Sequence, residues 1–289
     1  MIMLKRVYNQ NRCTGCGICT INCPQKILKI SNGHCVITDF DKCTRCPRCQ
    51  ICQQVCPYLA IEFKNEEKST FPVLLKGVTI PFHTGCYQGM IERLLAEVCE
   101  AMKLENKLVI FKSKDARFEI NVEIYGSDNY LKDALEYKHN HPEKIVVVYY
   151  TDEEPWQHKQ AISDFKELDN TPITIFHMLN YFSNLKLKPT SDEYAIDLCE
   201  ILCISKDAAL VARGSFTDIK RITEVKRYMK EAIGHQLEAN GYTFLELTLP
   251  CHWRLLDKPQ GTITSLQVIE NIEWFKNIIN KMYPLKKYK

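Results

Sequence analysis

Cys13, Cys16, Cys19 and Cys23, with Pro24 next, are spaced C-x2-C-x2-C-x3-C-P. A second set runs through Cys43, Cys46, Cys49, Cys52 and Cys56, followed by Pro57. Positions 46, 49, 52 and 56 repeat the first spacing, and Cys43 adds one more. A cubane iron–sulfur cluster needs four converging thiolates. Cysteines at every third residue wrap three corners, and the cysteine before proline offers a fourth from further along the chain. Zinc, the competing occupant, prefers paired CxxC knuckles separated by a spacer. Here three cysteines recur in step with a terminal Cys-Pro, so the spacing points to two [4Fe-4S] clusters.

The setting agrees with that chemistry. Ten of the 15 cysteines precede residue 57, and the opening "MIMLKRVYNQNRC" has too short an apolar part for a secretory signal. No run of 18 apolar residues predicts a membrane span, so a cytoplasmic protein is expected. Cysteines used this way mean metal or redox chemistry before disulfides. Residues 1–65 carry nine Lys/Arg and three Asp/Glu, a net +6, against −3 for the rest and +3 for the whole. That total makes no case for nucleic acid. A four-thiolate cubane carries about −2, so two of them offset most of the local positive charge. A nearly neutral surface suits a domain held captive by one fixed partner.

The two sets belong to an internal repeat of 33 residues, Cys23 to Cys56, with matching tails "CPQKILKI" and "CPYLAIEF". Residues 4–63 resemble bacterial 2[4Fe-4S] ferredoxins. The resemblance implies that the fourth cysteine of each repeat serves the other cluster. Cys13, Cys16, Cys19 and Cys56 would hold one cluster, and Cys23 with three of the second set the other. Which three stays open. The strand-like "CVITDFDKC" favours Cys43 and Cys46, the strict spacing favours Cys46 and Cys49, and Cys52 is common to both. One of the five is spare. Cys35, in the turn "SNGHC", is off pattern and is expected to be a small buried side chain.

These ligands need a frame, and the remainder of the chain is large enough to supply one. The organisation read here is a small domain over 1–65, a linker over 66–78 and a large domain over 79–289. Apolar runs at 107–111, 144–150, 173–177, 208–213 and 242–247 suit buried parallel strands. Between them, "MIERLLAEVCEAM" places Met90, Ile91, Leu94, Leu95, Val98 and Met102 on one helical face. Residues 223–241 predict another helix, stopped at Gly241. Strands alternating with helices give an α/β fold, a mainly parallel sheet flanked by helices, with a small α+β ferredoxin-like domain in front. Cys199 and Cys203, one turn apart, read as a packed helix face, and the basic end "LKKYK" as solvated.

From about Val78 onward, "HTGCYQGMIERLLAEV", "VARGSFTDIKRITEVKRYMKEAIGHQLEANGYTFLEL", "LPCHWRL" and "MYPLKKYK" resemble the β subunit of 2-oxoacid:ferredoxin oxidoreductases. The resemblance implies a thiamine diphosphate-binding-type fold and a place among the other subunits of such a complex, with a soluble ferredoxin as a further partner. It also implies Mg²⁺ ligands at Asp152, after the strand "KIVVVYY", and at Asn180, after the next. The glycines that let the family's backbone approach the diphosphate are absent. Glu153 and Glu154 stand there instead. At about 5 Å and an effective dielectric constant near 20, one such carboxylate repels a phosphate by about 3 kcal/mol, two decades of affinity. The family's own cluster motif survives only in Cys86, with His83 and Leu249 at two other ligand positions. Cys86 and Cys251 read as ordinary cysteines, a rearranged site with His83 and His252 being the alternative. The expected function is therefore an iron–sulfur electron-transfer subunit whose thiamine diphosphate site is lost. The alternative is an active β subunit that decarboxylates a 2-oxoacid oxidatively to an acyl-CoA.

Overall fold

A computed structural model describes residues 5–44, 50–64, 71–78, 86–152, 165, 168, 170–179, 197–249 and 286–289. The first repeat runs from strand β1 (Lys5–Tyr8) through a cysteine loop and helix α1 (Ile18–Asn22) to β2 (Leu28–Ser31). The second runs from β3 (His34–Ile37) through α2 (Phe40–Thr44) and α3 (Ile51–Gln54) to β4 (Ile61–Lys64). β2 pairs with β3, and β1 with β4, both antiparallel. Each repeat's strand thus pairs with one from the other repeat. The β2–β3 turn places Asn32 and Gly33 at positive φ, the conformation a two-residue hairpin demands.

Beyond the small lobe lie α4 (Gly89–Met102), β5 (Leu108–Ser113), β6 (Glu123–Ser127), α5 (Tyr130–Asn140), β7 (Ile145–Asp152) and β8 (Thr174–Leu179). Then come α6 (Leu198–Leu202), β9 (Ala208–Ser215), α7 (Ile219–Leu237), β10 (Tyr242–Thr248) and the short β11 (Lys286–Lys287). The sheet has seven strands in the order β11-β9-β10-β8-β7-β5-β6. Its members pair in parallel except β11, which runs antiparallel to β9. Side chains alternate between its faces. Val147 and Tyr149 enter one core with Met90, Leu94 and Met229, while Val146, Val148 and Tyr150 enter the other with Leu131 and Leu198. Both faces are covered, which is why the strands read as unbroken apolar runs. A mostly parallel α/β sheet is what the sequence predicts.

Helix α7 is capped by Asp218, whose side chain accepts from the Arg221 N–H, and it ends before Gly241. Gly241 has φ of 91°, and a Cβ there would stand 2.2 Å from the Asp207 carbonyl oxygen, so only glycine fits. The apolar face predicted for α4 is buried except at Met102, which is half-buried, and its polar residues Glu92 and Arg93 are buried as well. The reason is position: α4 is covered by the sheet on one side and by the small lobe on the other, and Ile18, Val55 and Ile61 join its core. The second half of the predicted linker is anchored as well. Leu74 is buried, its N–H donates to Glu100 at 3.1 Å, and its carbonyl accepts from Asn121 at 2.8 Å.

Two departures from the sequence reading are informative. β6 lies over "EIYGS", a polar stretch at the sheet edge, where one partner suffices and burial is incomplete. The tail expected to be solvated instead adds β11, with the Tyr288 hydroxyl accepting from Arg213 at 2.9 Å.

Glu92 makes a first prediction. Burial pushes its pKa up to about 8, while the Glu119 N–H at 3.0 Å partly opposes that and the Glu119 charge adds to it. A carboxyl whose folded pKa is raised favours the neutral form, so stability is greatest below about 4.5 and falls as pH rises toward 8. Glu92→Gln should flatten that slope and raise stability at pH 8 by about 2–4 kcal/mol. Urea unfolding at pH 5 and pH 8 checks it. Equal effects at both values would refute the assignment.

Candidate functional site

The small lobe gathers its cysteines around two cavities. The first, about 330 Å³, is lined by Cys13, Cys16, Cys19 and Cys56, together with Cys35. Cys13 and Cys16 come from the loop after β1, Cys19 from α1, and Cys56 from beyond α3 in the other repeat. The second, about 380 Å³, is lined by Cys23, Cys43 and Cys52, with Phe63 and Leu28 as apolar wall. Cys23 belongs to the first repeat and the other two to the second. The structure therefore brings cysteines of both repeats to each cavity. Cys46 and Cys49 lie outside the described residues.

The donor chemistry fits thiolate-ligated iron. Backbone N–H groups donate to sulfur at two positions of the first cavity: Ala60 to Cys56 at 3.2 Å, and Cys35 to Cys13 at 3.3 Å. Such hydrogen bonds stabilise thiolates and set cluster potentials. At the second cavity Arg6, on β1, donates to the Cys43 sulfur at 2.9 Å. Burial pushes the Cys16 and Cys56 thiols up. Cys19 is raised by its hydrogen bond with Cys35 and by burial, and the same hydrogen bond lowers Cys35. An anionic thiolate is therefore costly here unless a metal takes the place of its proton. Among the described residues no three His, Cys, Asp or Glu side chains gather on a single-ion position. The cysteines instead line the two cavities.

The large lobe grips the first cavity from outside. Tyr87, at the entry to α4, donates its hydroxyl to the Cys16 carbonyl at 2.9 Å. The Arg93 guanidinium donates to the carbonyls of Gln53 and Gln54 at 3.1 Å and of Cys56 at 2.6 Å. Arg93 thus caps the end of α3, where carbonyls lack helical partners and a cation is favoured. It is paired with Glu97 at 2.7 Å, which also holds Lys226 at 2.6 Å, so the triad keeps a net +1 beside Cys56. The Gly89 N–H donates to the Tyr58 hydroxyl at 3.2 Å, two residues past Cys56. The second cavity has a more open setting: Cys23, Cys43 and Cys52 are all half-buried, whereas in the first only Cys13 is, and Cys16, Cys19 and Cys56 are buried.

The remaining sequence-predicted positions are less gathered. Asp152 ends β7 opposite Leu179, the last residue of β8. Asn180 lies outside the described residues, as do Glu153, Glu154, His83, Cys251 and His252. Cys86 is buried and accepts at sulfur from the Gln88 N–H at 3.4 Å. Leu249 is buried in the core. Cys35, Arg93 and Tyr87 were not legible as site residues. Cys35 falls outside the spacing, and the other two act from a different lobe.

A row of polar side chains crosses the sheet through its second core. Tyr150, His177, Glu246 and Arg213 are register neighbours on β7, β8, β10 and β9. Arg213 Nε meets Glu246 at 2.5 Å and its Nη2 meets Asp197 at 2.8 Å, while His177 Nδ1 lies 3.6 Å from Glu246. The arrangement closes its charges internally and anchors the tail through Tyr288.

Comparison with known proteins agrees with the small lobe. Residues 6–29 match the 4Fe-4S binding domain family. The ketoisovalerate oxidoreductase subunit VorA of Methanothermobacter thermautotrophicus is 28% identical over 96 residues. The subunit of the same description in Methanothermobacter marburgensis is 32% identical over 68 residues. These alignments cover 33% and 24% of this chain and only 18% and 14% of the relatives. The family match supports [4Fe-4S] cluster binding by the small lobe. No helix of the described residues is long and apolar enough to cross a membrane.

Proposed function

We propose that this chain is the electron-transfer subunit of a 2-oxoacid:ferredoxin oxidoreductase-like complex, working with other subunits and with a soluble ferredoxin. Cys13, Cys16, Cys19 and Cys56 hold one [4Fe-4S] cluster. Cys23, Cys43 and Cys52 hold the other, completed by a cysteine of the 46–49 stretch. Each cluster supplies one-electron transfer when bound. The observation that carries the proposal is the crossed arrangement of cysteines around two cavities, one gripped by the large lobe and one more open. The chain's own residues then divide the work. Tyr87 and Arg93 hold the inner ligand loops rigid, which lowers the reorganisation that electron transfer requires. The half-buried outer set faces exchange with a partner. The relatives' substrate, ketoisovalerate, makes a branched 2-oxoacid the suggested electron source of the complex.

The large lobe is proposed to keep the family's architecture without its thiamine diphosphate, because acidic residues follow Asp152 where the diphosphate would need room. The test uses anaerobically purified protein. Potentiometric titration followed by electron paramagnetic resonance should show two reducible cubanes with interacting signals. Calorimetry with thiamine diphosphate and Mg²⁺ should show no binding. Micromolar binding abolished by Asp152→Ala would instead support the active β subunit.

Arg93 yields a prediction on this footing. A unit charge roughly 10 Å away at an effective dielectric constant near 20 contributes about 1–2 kcal/mol, on the order of 70 mV for one electron. Arg93→Gln should lower the inner cluster's potential by that order and leave the outer one nearly unchanged. Equal shifts in both would show that the substitution acts by loosening the whole lobe.

A further inference from the structure

The first cavity holds one thiol too many. A cubane takes one thiolate per iron, four in all, yet five cysteines line this space. The fifth, Cys35, stands on β3, and its sulfur lies 3.5 Å from that of Cys19. That is too far for a disulfide bond of about 2.05 Å. It is close to the separation of two sulfurs able to reach the same metal, since metal–sulfur bonds of about 2.3 Å at tetrahedral angles put ligand sulfurs under 4 Å apart. Both cysteines are at least nine-tenths buried, so neither sulfur is there for contact with solvent.

The position of Cys35 is tightly held. Its backbone N–H donates to Cys13, another thiol of the cavity, at 3.3 Å. The hairpin that carries it touches the ligand loop backbone to backbone: a Cβ on Gly15 would stand 2.4 Å from the Gly33 carbonyl oxygen. Strand pairing fixes Cys35 opposite Ile30. The thiol is therefore presented at the Cys19 corner by the same framework that shapes the cavity.

We propose that Cys35 is an alternate ligand for the iron that Cys19 holds, the two thiols competing for one corner of the inner cluster. Exchange breaks one iron–thiolate bond and forms another, with the proton of the entering thiol passing to the departing thiolate, so no electrons are gained or lost. The proposal rests on reading Cys13, Cys16, Cys19 and Cys56 as one ligand set, and the experiment separates the two ideas.

The full chain is purified anaerobically with Cys16→Ala, Cys19→Ala, Cys35→Ala and the Cys19→Ala/Cys35→Ala pair. Iron, sulfide and the reduced-state paramagnetic spectrum are measured for each. Cys19→Ala and Cys35→Ala should each retain about eight irons per chain, whereas Cys16→Ala and the double variant should fall to about four. Loss of four irons in Cys19→Ala alone, or a three-iron signal there, overturns the alternate-ligand proposal. Full iron in Cys16→Ala overturns the ligand set beneath it. Should Cys19→Ala fail to fold, Cys19→Ser serves in its place. Adding Cys35→Ala to that background must then lower iron content or change the spectrum, and an unchanged protein overturns the proposal.

Discussion

A Cys56→Ala chain is expected to lose the inner cluster and keep the outer one, although Cys56 lies in the second repeat. Cys56 lines the cavity of Cys13, Cys16 and Cys19, while Cys23 lines that of Cys43 and Cys52. Its sulfur accepts from Ala60, and its carbonyl receives the shortest of the three hydrogen bonds that Arg93 makes to carbonyls. Among the described residues no spare thiol is hydrogen-bonded to Cys56 as Cys35 is to Cys19. The loss should amount to about four irons per chain, with one of two reducible centres left in a redox titration. Retention of the cluster with the more buried ligands, and loss of the other, would reverse the assignment of Cys56. Cys23→Ala is the mirror test and should spare the inner cluster.

Glu246→Ala is expected to destabilise the large lobe by about 3–5 kcal/mol, the cost of leaving a buried charge without its partner. Arg213 is almost wholly buried and loses its closest carboxylate in that variant. Asp197 and Tyr288 remain as partners, which keeps the effect from growing further. The comparison that identifies the mechanism is Arg213→Met/Glu246→Leu. Removing both charges together should cost less than removing Glu246 alone, because desolvation is relieved along with attraction. A double variant no better than the single would mean that the row contributes through shape. The pH dependence has a definite sign. Burial alone would raise the Glu246 pKa, but hydrogen bonds and charge from His177 and Arg213 outweigh it and hold it below the usual value. A depressed carboxyl contributes stability above its unfolded pKa, lost as pH falls through the folded one. Glu246 therefore stabilises at neutral pH and its loss on acidification favours acid unfolding, whereas Glu92 works against stability from the weakly acid range up to mildly basic pH.

The frame was legible because burial on both faces leaves a plain mark. The five apolar runs became β5, β7, β8, β9 and β10, each shifted by no more than a few residues at its ends. The cysteine repeat was legible because cluster ligation imposes spacing along the chain. What escaped was set by contacts through space. Cys35 reaches the first cavity only because the Asn32-Gly33 turn folds its strand back on the ligand loop. Arg93 lies off the apolar face of its helix, and only the small lobe on that side gives it the carbonyls of Gln53, Gln54 and Cys56 as partners. The polar row did leave a trace: Arg213, Glu246 and His177 each interrupt an apolar strand, and a lone polar residue in such a run needs a partner across the sheet. Cys43 could not be chosen over Cys49 by spacing alone. Cys43 lies beside Cys23 and Cys52 with Arg6 on its sulfur, while Cys46 and Cys49 lie outside the described residues.

The expectations for iron and for electron transfer depend on the small lobe housing a pair of cubanes. Iron and acid-labile sulfide, measured per chain on protein purified without oxygen, test this most directly. The account predicts about eight of each. About four of each, or zinc in place of iron, would contradict it.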